Sequence, residues 1–273
     1  MVRAVLATLG GPDGIKAFVK KGDVVAVKPN AGFSQPPEIG ATTHPDVVAE
    51  VVRLCFAAGA KEVRVFDNPI EQFEKCFAAS GIRRAALENG ARILQPSKDD
   101  FREVSVPGAV ALKPSWPFFV RPFEGADKVI GLSVLKDHNL AVATMAMKNW
   151  YGCLGGPRNQ LHQDIHGSIA DLAALVQPTL VILDATRILM RSGPTGGNVS
   201  DCASANTLVA GTDAVAVDAF AVGLFREMDG NDRRHTEAAC RYLALSRDRK
   251  IGTTDWKSLN PSLDRKNIPL AGG

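Results

Sequence analysis

The chain lacks the cysteine patterns that mark most metal and redox proteins. Its five cysteines are spread over 273 residues without a CxxC pair, so the sequence contains neither a zinc knuckle nor an iron–sulfur cluster motif. Their odd number argues against a framework of disulfides. The sequence therefore names no cofactor, and a divalent metal would have to be held by side chains other than paired cysteines.

Long apolar runs and blocks of one charge are also missing. No run reaches the about 18 apolar residues of a membrane-spanning helix, and Met1 is not followed by the basic and apolar regions of a signal peptide. The 32 basic residues exceed the 29 acidic ones by 3, and they form no stripe interleaved with aromatic residues. We therefore expect a soluble protein that has no membrane span and does not bind nucleic acid.

What the chain does have is a series of short, continuous apolar runs of the kind found in buried parallel strands. They alternate with segments of helical periodicity, the clearest of which begins at His44-Pro45. The four clearest runs are Asp23–Pro29, Glu62–Asn68, Asp127–Leu135 and Thr179–Ala185. This alternation predicts an α/β fold with a mainly parallel central sheet and helices on both faces, a Rossmann-like three-layer architecture.

The domain organisation is less regular at both ends and near the middle. Valines and prolines alternate over Glu103–Pro122, which predicts an irregular β insertion near residues 100–122. We expect a single α/β domain over 1–273, made of two halves at about 1–122 and 123–250 and followed by a C-terminal tail. Because the chain opens on the end of a helix at Arg3–Gly11, we also expect that an upstream strand is missing.

Polar side chains follow several of the predicted strands. Three of the five histidines and two lysines fall within Lys136–His166, around a glycine-containing turn. In an open parallel sheet, ligands bind outside the carboxyl ends of the strands. The strand-end residues, which should therefore gather on one rim, are Lys28, Asn30, Asp67, Asn68, Lys136, His138, Asp184, Thr212 and Asp213. Capping of helices and turns is the ordinary alternative for any one of them.

Seven sequence blocks resemble, in order, the family known as domain of unknown function 362. They are VAVKPN, TTHPDVVAEVVRLCFAAGAKEVRVFDNP, KPSWPFFV, LKDHNLAVATMAMKNWYG, RNQLHQDI, IADLAALVQPTLVILDATRILMRSGPTGGN and LVAGTDAVAVDAF. The resemblance covers about residues 9–225. It implies an α/β architecture with a parallel sheet and little about activity.

Other properties are implied by the resemblance alone. Many relatives carry a ferredoxin-like domain with two iron–sulfur clusters, which the cysteines of this chain do not provide. Similar relatives often begin with a twin-arginine export signal. If such a signal once preceded this chain and has been removed, the protein is periplasmic. If there was no such signal, the protein is cytoplasmic. Asp137 and His166 depart from the family pattern, which otherwise extends to Lys28, Pro29, Asn30, Lys136, His138, Lys148, Asn149, His162, Gln163, Asp164, Asp184, Gly193, Pro194, Gly196, Gly197, Asp213 and Asp218.

One interpretation of the clustered residues is an anion site. Lys28, Lys136 and Lys148 would hold a carboxylate or phosphate, because three lysines on one rim repel each other unless an anion neutralises them. Further contacts would come from Asn30, Asn149 and Asp184, and from the backbone of Gly196 and Gly197. No glycine stretch has the spacing of a nucleotide-binding loop, and ordinary turns explain these glycines equally well.

A second interpretation is acid–base catalysis. Histidine titrates near neutral pH, and a lysine crowded by cations or apolar groups has a lowered pKa. A His138/Lys148 pair or a His162/Lys136 pair could therefore move a proton on a carbonyl or carboxylate substrate. Cys153 is a conceivable nucleophile, although its apolar neighbours favour a buried structural thiol.

A third interpretation is a metal site. His162 and His166 are spaced i, i+4, so they could bind one metal, with Asp164 or His138 as a further ligand, if one helix runs through both. Two histidines on a polar helix face are more often simply solvated. Oxygen ligands for magnesium or calcium are offered instead by Asp184, Asp213 and Asp218.

Together these patterns predict an enzyme that binds an anionic small molecule at the carboxyl rim of the sheet. His/Lys acid–base chemistry, with or without a metal, would act on it. The alternative is a non-catalytic binding or redox-accessory protein that works with an iron–sulfur partner protein. The sequence leaves the substrate, the reaction and the oligomeric state open.

Overall fold

The computed structural model describes residues 1–230 and 234–259, so most of the predicted C-terminal tail lies outside the described residues. The strands are β1 Val24–Pro29, β2 Glu62–Phe66, β3 Arg92–Leu94, β4 Phe101–Val104, β5 Trp116–Phe119, β6 Lys128–His138, β7 Val142–Thr144, β8 Leu180–Leu189 and β9 Cys202–Gly211. The α-helices are α1 Val2–Gly10, α2 Pro45–Ala57, α3 Phe73–Ala79, α4 Ile82–Glu88, α5 Ala146–Asn149, α6 Ile165–Leu175, α7 Ala214–Met228, α8 Arg241–Asp248 and α9 Trp256–Leu259.

The centre of the molecule is a seven-stranded sheet in the order β3-β2-β1-β6-β8-β9, with β7 paired to the end of β6. The first five strands of this order are parallel, whereas β9 and β7 run antiparallel to β8 and β6. Strands from both halves of the sequence lie in it. The predicted α/β fold with a mainly parallel central sheet is confirmed.

Two apolar layers cover the sheet, because strands buried on both faces need helices on each side. On one face, side chains of α1, α2 and α4 pack against the sheet, including Leu6, Val51 and Ile82. On the other face the core contains Leu172 of α6 and Phe225 of α7. Each such fully buried side chain stabilises the fold by about 1.5–3 kcal/mol. No helix among the described residues is long and apolar enough to cross a membrane.

Helix α2 begins where the sequence predicts. The ring nitrogen Nδ1 of His44 accepts a hydrogen bond from the backbone N–H of Asp46 at 3.3 Å, and Pro45 occupies the first helical position. Proline is favourable there because its missing N–H would have no helical partner. The start of α2 therefore faces the carboxyl end of the sheet.

The predicted insertion near residues 100–122 is a small antiparallel sheet made of β4 and β5. Gly155 joins it to the rest of the molecule: its N–H donates to the carbonyl of Pro117 at 2.8 Å, and its carbonyl accepts from Nε1 of Trp116 at 3.0 Å. The ring of Phe101 occupies the space where a side chain at residue 155 would stand. The small sheet is thereby fixed against the segment that follows Cys153.

Strand β6 is longer than the sequence predicts. We expected it to end at Leu135, but it continues through Lys136, Asp137 and His138. The reason is β7, which turns back and pairs antiparallel with these three residues. The apolar pattern could not reveal this extension, because polar residues occupy a segment whose backbone is paired. Strand β8 likewise extends past Ala185, to Leu189, because β9 pairs along most of its length.

The order of the strands reverses between β1 and β6. From β1 the chain adds β2 and β3 on one side, and from β6 it adds β8 and β9 on the other. Helices that leave in opposite directions open a crevice outside the carboxyl ends of the two strands at such a switch point. Residues that end β1 and β6 therefore line the best-placed position for a ligand.

Candidate functional site

Lys28, at the end of β1, is completely buried and paired with a carboxylate. Its Nζ lies 2.8 Å from Oδ1 of Asp67, which follows β2 and is also buried. The other carboxylate oxygen of Asp67 accepts a hydrogen bond from the backbone N–H of Ala31 at 2.7 Å. Gly152 lies against this pair, and a Cβ there would collide with both charged groups. The charge of Lys28 is thus neutralised within the fold.

Lys136, in β6, is equally buried but has no carboxylate partner among the residues described by the structure. Its Nζ donates to the backbone carbonyl of Ala41 and to Oδ1 of Asn30, the latter at 3.3 Å, and lies 4.7 Å from the ring centre of Phe33. Burial, together with the charges of Lys148 and Lys28, lowers the pKa of Lys136 well below its usual value. Its two hydrogen bonds both go to groups of the protein itself.

Two asparagines join these lysines. Oδ1 of Asn149 accepts from Nδ2 of Asn30 at 3.2 Å and from Nζ of Lys28 at 3.4 Å, and Nδ2 of Asn149 donates to the carbonyl of Lys28 at 3.1 Å. Asn30, Lys28, Lys136 and Asn149 therefore form one connected set, which we call the lysine–asparagine network. The members of this network are hydrogen-bonded to each other, so they hold one another in place.

Lys148 differs from both network lysines. It is half-buried, and its Nζ lies 5.1 Å from the ring centre of Tyr151. Within residues 1–230 and 234–259 it has no hydrogen-bond or ion-pair partner. Burial, followed by the positive charges of Arg158 and Lys28, lowers the pKa of Lys148 to about 7. This side chain can therefore be charged or neutral at neutral pH.

His138, at the end of β6, is buried and held in one tautomer. Its Nδ1 accepts hydrogen bonds from the backbone N–H groups of Leu140 and Ala141, both at 3.1 Å. Burial and nearby positive charges, chiefly Lys148 and then Lys136, lower the pKa of His138 to about 2. The ring is therefore neutral with its proton on Nε2, an atom that has no partner among the described residues.

His162 stands at the outer edge of the site. It is exposed, and its ring stacks on Tyr151 with the ring centres 6.0 Å apart. Burial, Lys148 and Arg158 lower its pKa. We call His138, Lys148 and His162 the open trio, since each carries a polar atom without a partner in the part of the chain that the structure describes.

Asp218 positions the segment that carries Lys148 and Asn149. It lies on α7, is fully buried, and its two oxygens accept the backbone N–H groups of Ala146 at 2.7 Å and Met147 at 3.0 Å. Burial raises the pKa of Asp218 to about 8, against the lowering effect of these two hydrogen bonds. It therefore caps α5 and is not free to bind a cation.

The residues expected to bind a metal do not converge. The segment Arg158–Asp164 is a 3-10 helix that ends in non-helical backbone at Asp164, so His162 and His166 do not share an α-helical face. His166 stacks on Tyr242 instead, and Asp164 caps α6 by accepting from Gly167 at 3.0 Å. The described residues contain no group of three His, Cys, Asp or Glu side chains able to hold a metal ion.

Asp184 was expected at a strand end but lies within β8, and the glycine loop follows this strand; both make local contacts. Asp184 accepts from the backbone N–H of His44 at 2.8 Å and from Thr186, so it ties β8 to the start of α2. Gly196, at a φ of 72°, packs against Ile39 and Leu189. No hydrogen bond among the described residues connects Asp184, Gly196 or Gly197 to Lys148.

Sequence reasoning omitted two important side chains from the predicted site, while its preferred interpretation of a third, Cys153, agrees with the structure. Asp67 was noted only as a strand-end residue, although its position opposite Lys28 decides which lysine is neutralised. Arg158 drew no attention, yet its charge lowers the pKa of Lys148 and His162. Its place in the RNQLHQDI block was the available signal. Cys153 is fully buried and its pKa is raised to about 12, which fits a structural thiol.

Comparison with known proteins gives one family and several distant structures. A family model described as "Domain of unknown function (DUF362)" matches residues 25–223. A thylakoid-associated protein of Synechocystis sp. is 30% identical over 229 residues, which is 80% of this chain and 66% of that protein.

The solved structures are less similar. Lactate racemase apoprotein from Thermoanaerobacterium thermosaccharolyticum is 14% identical, with a TM-score of 0.40 over 78% of this chain and 52% of that one. A Thermotoga maritima protein is 13% identical, with a TM-score of 0.42 over 86% and 56%. The chain thus spans less than two thirds of the length of each of these proteins.

Proposed function

This chain belongs to the DUF362 family, and from the geometry at its strand ends we propose that it is an enzyme that binds an anionic small molecule, a carboxylate or a phosphate, and moves a proton on it. One observation carries the proposal. Lys148 stands half-buried at the switch point among other cations, without a carboxylate or any hydrogen-bond partner in the described residues. An unpaired ammonium in such surroundings gains most from a bound anion.

The surroundings of Lys148 favour an anion over a cation. Lys28 is neutralised by Asp67, but Lys136 and Arg158 have no carboxylate partner in the described part of the chain. After burial, the charges of Lys148 and Lys28 lower the pKa of Lys136, and those of Arg158 and Lys28 lower the pKa of Lys148. A carboxylate or phosphate would relieve this repulsion, and the binding free energy would include that relief.

The open trio supplies different proton chemistry at each position. Lys148, with a pKa of about 7, is present in both protonation states at neutral pH and can act as a general acid or base. His138 stays neutral, so its Nε2–H can donate a hydrogen bond to a carbonyl or carboxylate oxygen. His162, exposed at the edge, can exchange protons with solvent. The buried network keeps these groups in place.

Calorimetry with benzoate tests the binding step. An anion beside Lys148 raises its pKa, so binding near neutral pH should take up a proton, and affinity should fall as the pH rises through about 7. Proton uptake is measured by repeating the titration in two buffers of different ionisation enthalpy. Lys148→Met should weaken binding by about tenfold or more, the value of a charge-assisted hydrogen bond.

Lys61→Met is the matched control. Lys61 is exposed and precedes β2, at the opposite end of the strands, so its loss should change neither affinity nor proton uptake. Catalysis is tested by NMR, as Lys148-dependent exchange of the C–H protons of small carboxylates with D₂O. Equal benzoate affinity in wild type and Lys148→Met would refute the proposal. Stoichiometric iron in anaerobically purified protein would favour the redox-accessory alternative instead.

A further inference from the structure

A cleft of about 470 Å³ lies on the same rim, beside the switch point. It opens over the ends of β2 and β3, between the small β4–β5 sheet and the segment that follows Cys153. The residues that matter for its chemistry are Asn68, Ser97, Lys98, Phe101, Pro117 and Arg158. Two basic side chains and two apolar surfaces thus share one concave space, and none of its lining residues is acidic.

Arg158 has a free edge. Its Nη1 donates to the backbone carbonyls of Asn68 at 2.8 Å and Leu154 at 3.4 Å, and its Nη2 donates to the carbonyl of Pro69 at 2.7 Å. A guanidinium has five N–H donors, so the Nε–H and one Nη2–H remain without a partner in the described residues. The Nε–H lies on the edge that it shares with Nη2, and such an edge can hold a phosphate or carboxylate through two parallel hydrogen bonds.

The cleft is built from fixed parts. Gly155 is bonded in both directions to the small sheet, and Phe101 packs directly against it. Three carbonyl contacts hold the Arg158 side chain, while the Tyr151 hydroxyl donates to its backbone carbonyl at 2.9 Å. A ligand would therefore meet a preorganised guanidinium, which reduces the entropy lost on binding.

Tyr151 connects the cleft to the open trio. Its hydroxyl contacts Arg158, whereas Lys148 and His162 contact its ring. Lys148 thus lies over the tyrosine ring and the backbone of Arg158 lies at its hydroxyl, while the charge of Arg158 is near enough to lower the pKa of Lys148. A molecule of modest size could reach both, with one anionic group at each end.

We propose that the cleft binds the phosphate end of a bifunctional substrate, an organic phosphate that also carries a carboxylate. The free edge of Arg158 and the ammonium of Lys98 hold the phosphate, the faces of Phe101 and Pro117 contact the carbon skeleton, and the carboxylate reaches Lys148. Phosphate suits the subsite because a dianion matches two cations and a two-donor edge. The inference rests on the proposed function for its carboxylate end only.

Three matched probes test it by calorimetry at about pH 6, where Lys148 is charged with or without Arg158. Phenyl phosphate reports the cleft, benzoate reports the open trio, and 4-carboxyphenyl phosphate reports both. Arg158→Gln should weaken phenyl phosphate by about tenfold or more, and Lys98→Gln by about threefold. Both variants should weaken the binding of 4-carboxyphenyl phosphate. Their affinity for benzoate should stay within about twofold of that of wild type.

The remaining variants separate this proposal from the previous one. Lys98 is exposed, so Lys98→Gln should fold normally even if Arg158→Gln disturbs the backbone that it contacts. Lys148→Met should weaken the binding of benzoate and leave the affinity for phenyl phosphate unchanged. Lys61→Gln should change neither affinity. Phenyl phosphate binding that is unaffected by both cleft variants overturns the subsite. If benzoate fails to bind while phenyl phosphate binds through Arg158, the subsite stands and the carboxylate chemistry fails.

Discussion

Among the individual side chains, Lys28 and Lys136 illustrate how a buried ammonium is tolerated. Removing a charge from water costs several kcal/mol unless a partner compensates for it. Lys28 is compensated by Asp67, while Lys136 has only a carbonyl, an amide oxygen and an aromatic ring. Burial and the nearby charges of Lys148 and Lys28 therefore lower the pKa of Lys136, so its charge depends on what lies nearby. The buried Lys28–Asp67 ion pair, unlike Lys136, thus contains its own compensating charge.

We predict that Gly152→Ala destabilises the protein through this pair. The added Cβ would collide with the Asp67 carboxylate and the Lys28 ammonium, both of which are buried and closely packed. Separating a buried ion pair costs about 3–5 kcal/mol when one partner is removed, so we expect a loss of about 3 kcal/mol in the free energy of unfolding. Urea denaturation followed by tryptophan fluorescence measures it.

Gly197→Ala provides the comparison for this substitution. No atom lies within 4 Å of a Cβ placed at residue 197, so the same chemical change should shift stability by less than about 0.5 kcal/mol. Equal losses in the two variants would show that the Lys28–Asp67 pair does not restrict residue 152.

At the level of elements, α5 depends on its neighbours. It has only four residues, and so short a helix does not form alone in water. Its first two N–H groups are bonded by Asp218 of α7, and Asn149 at its end is bonded by the lysine–asparagine network. Two independent contacts, one at each end, therefore set the direction in which Lys148 projects.

The contact with Asp218 should make stability depend on pH. Because the pKa of Asp218 is about 8 in the folded protein, against 3.8 ordinarily, the folded state holds one more proton than the unfolded state between these values. The contribution is therefore favourable at low pH and is lost as the pH rises from about 4 to 8. The free energy of unfolding of wild type relative to Asp218→Asn should fall across this range, by up to about 1.4 kcal/mol per pH unit.

Urea denaturation at several pH values between about 5 and 8 measures this difference. Asp255→Asn, a change at an exposed carboxylate, is the control and should run parallel to wild type. Wild type and Asp218→Asn curves that stay parallel over the whole range would contradict the assignment of a proton to Asp218.

Across the whole molecule, the sequence predicted most of the sheet and its helices. Continuous apolar runs specify buried strands, and His44-Pro45 specifies the start of α2, because these signals are local. Strand ends were harder to predict. The polar residues Lys136–His138 carry no apolar pattern, and they are strand only because β7 returns to pair with them.

The candidate site was predicted as a group of residues but not as an arrangement. The strand-end rule gathered Lys28 and Lys136, since it depends only on topology, whereas Lys148 was singled out by its place in the Lys136–His166 cluster. Which lysine is neutralised, which is buried and which is open depends on Asp67, Phe33 and the position of α5, all distant in sequence. Such differences come from tertiary contacts that no local pattern encodes.

Asp171 of α6 joins three parts of the molecule that are distant in sequence. Its substitution should therefore affect the stability of the whole fold. It is fully buried, accepts the backbone N–H groups of Val110, Ala111 and Leu112, and pairs with Arg249 at 2.7 Å. We predict that Asp171→Asn lowers the free energy of unfolding by at least about 3 kcal/mol. Hydrogen exchange at residues 110–112 should accelerate together with it.

Arg249→Gln separates the two contacts of Asp171. It removes the cation but leaves the three N–H donors, so its effect on stability should be smaller and exchange at residues 110–112 should stay slow. Faster exchange there in Arg249→Gln than in Asp171→Asn would show that the guanidinium, and not the carboxylate, holds this loop.

The pairing of β1 with β6 has a consequence for when the candidate site forms during folding. Residues such as Val25 and Lys128 are neighbours in the sheet but about a hundred positions apart in the chain, and contacts of such long range form slowly. Lys28 and Lys136 meet only after this pairing. Binding of the proposed anion should therefore appear only in a late kinetic phase of refolding, after these two strands have paired.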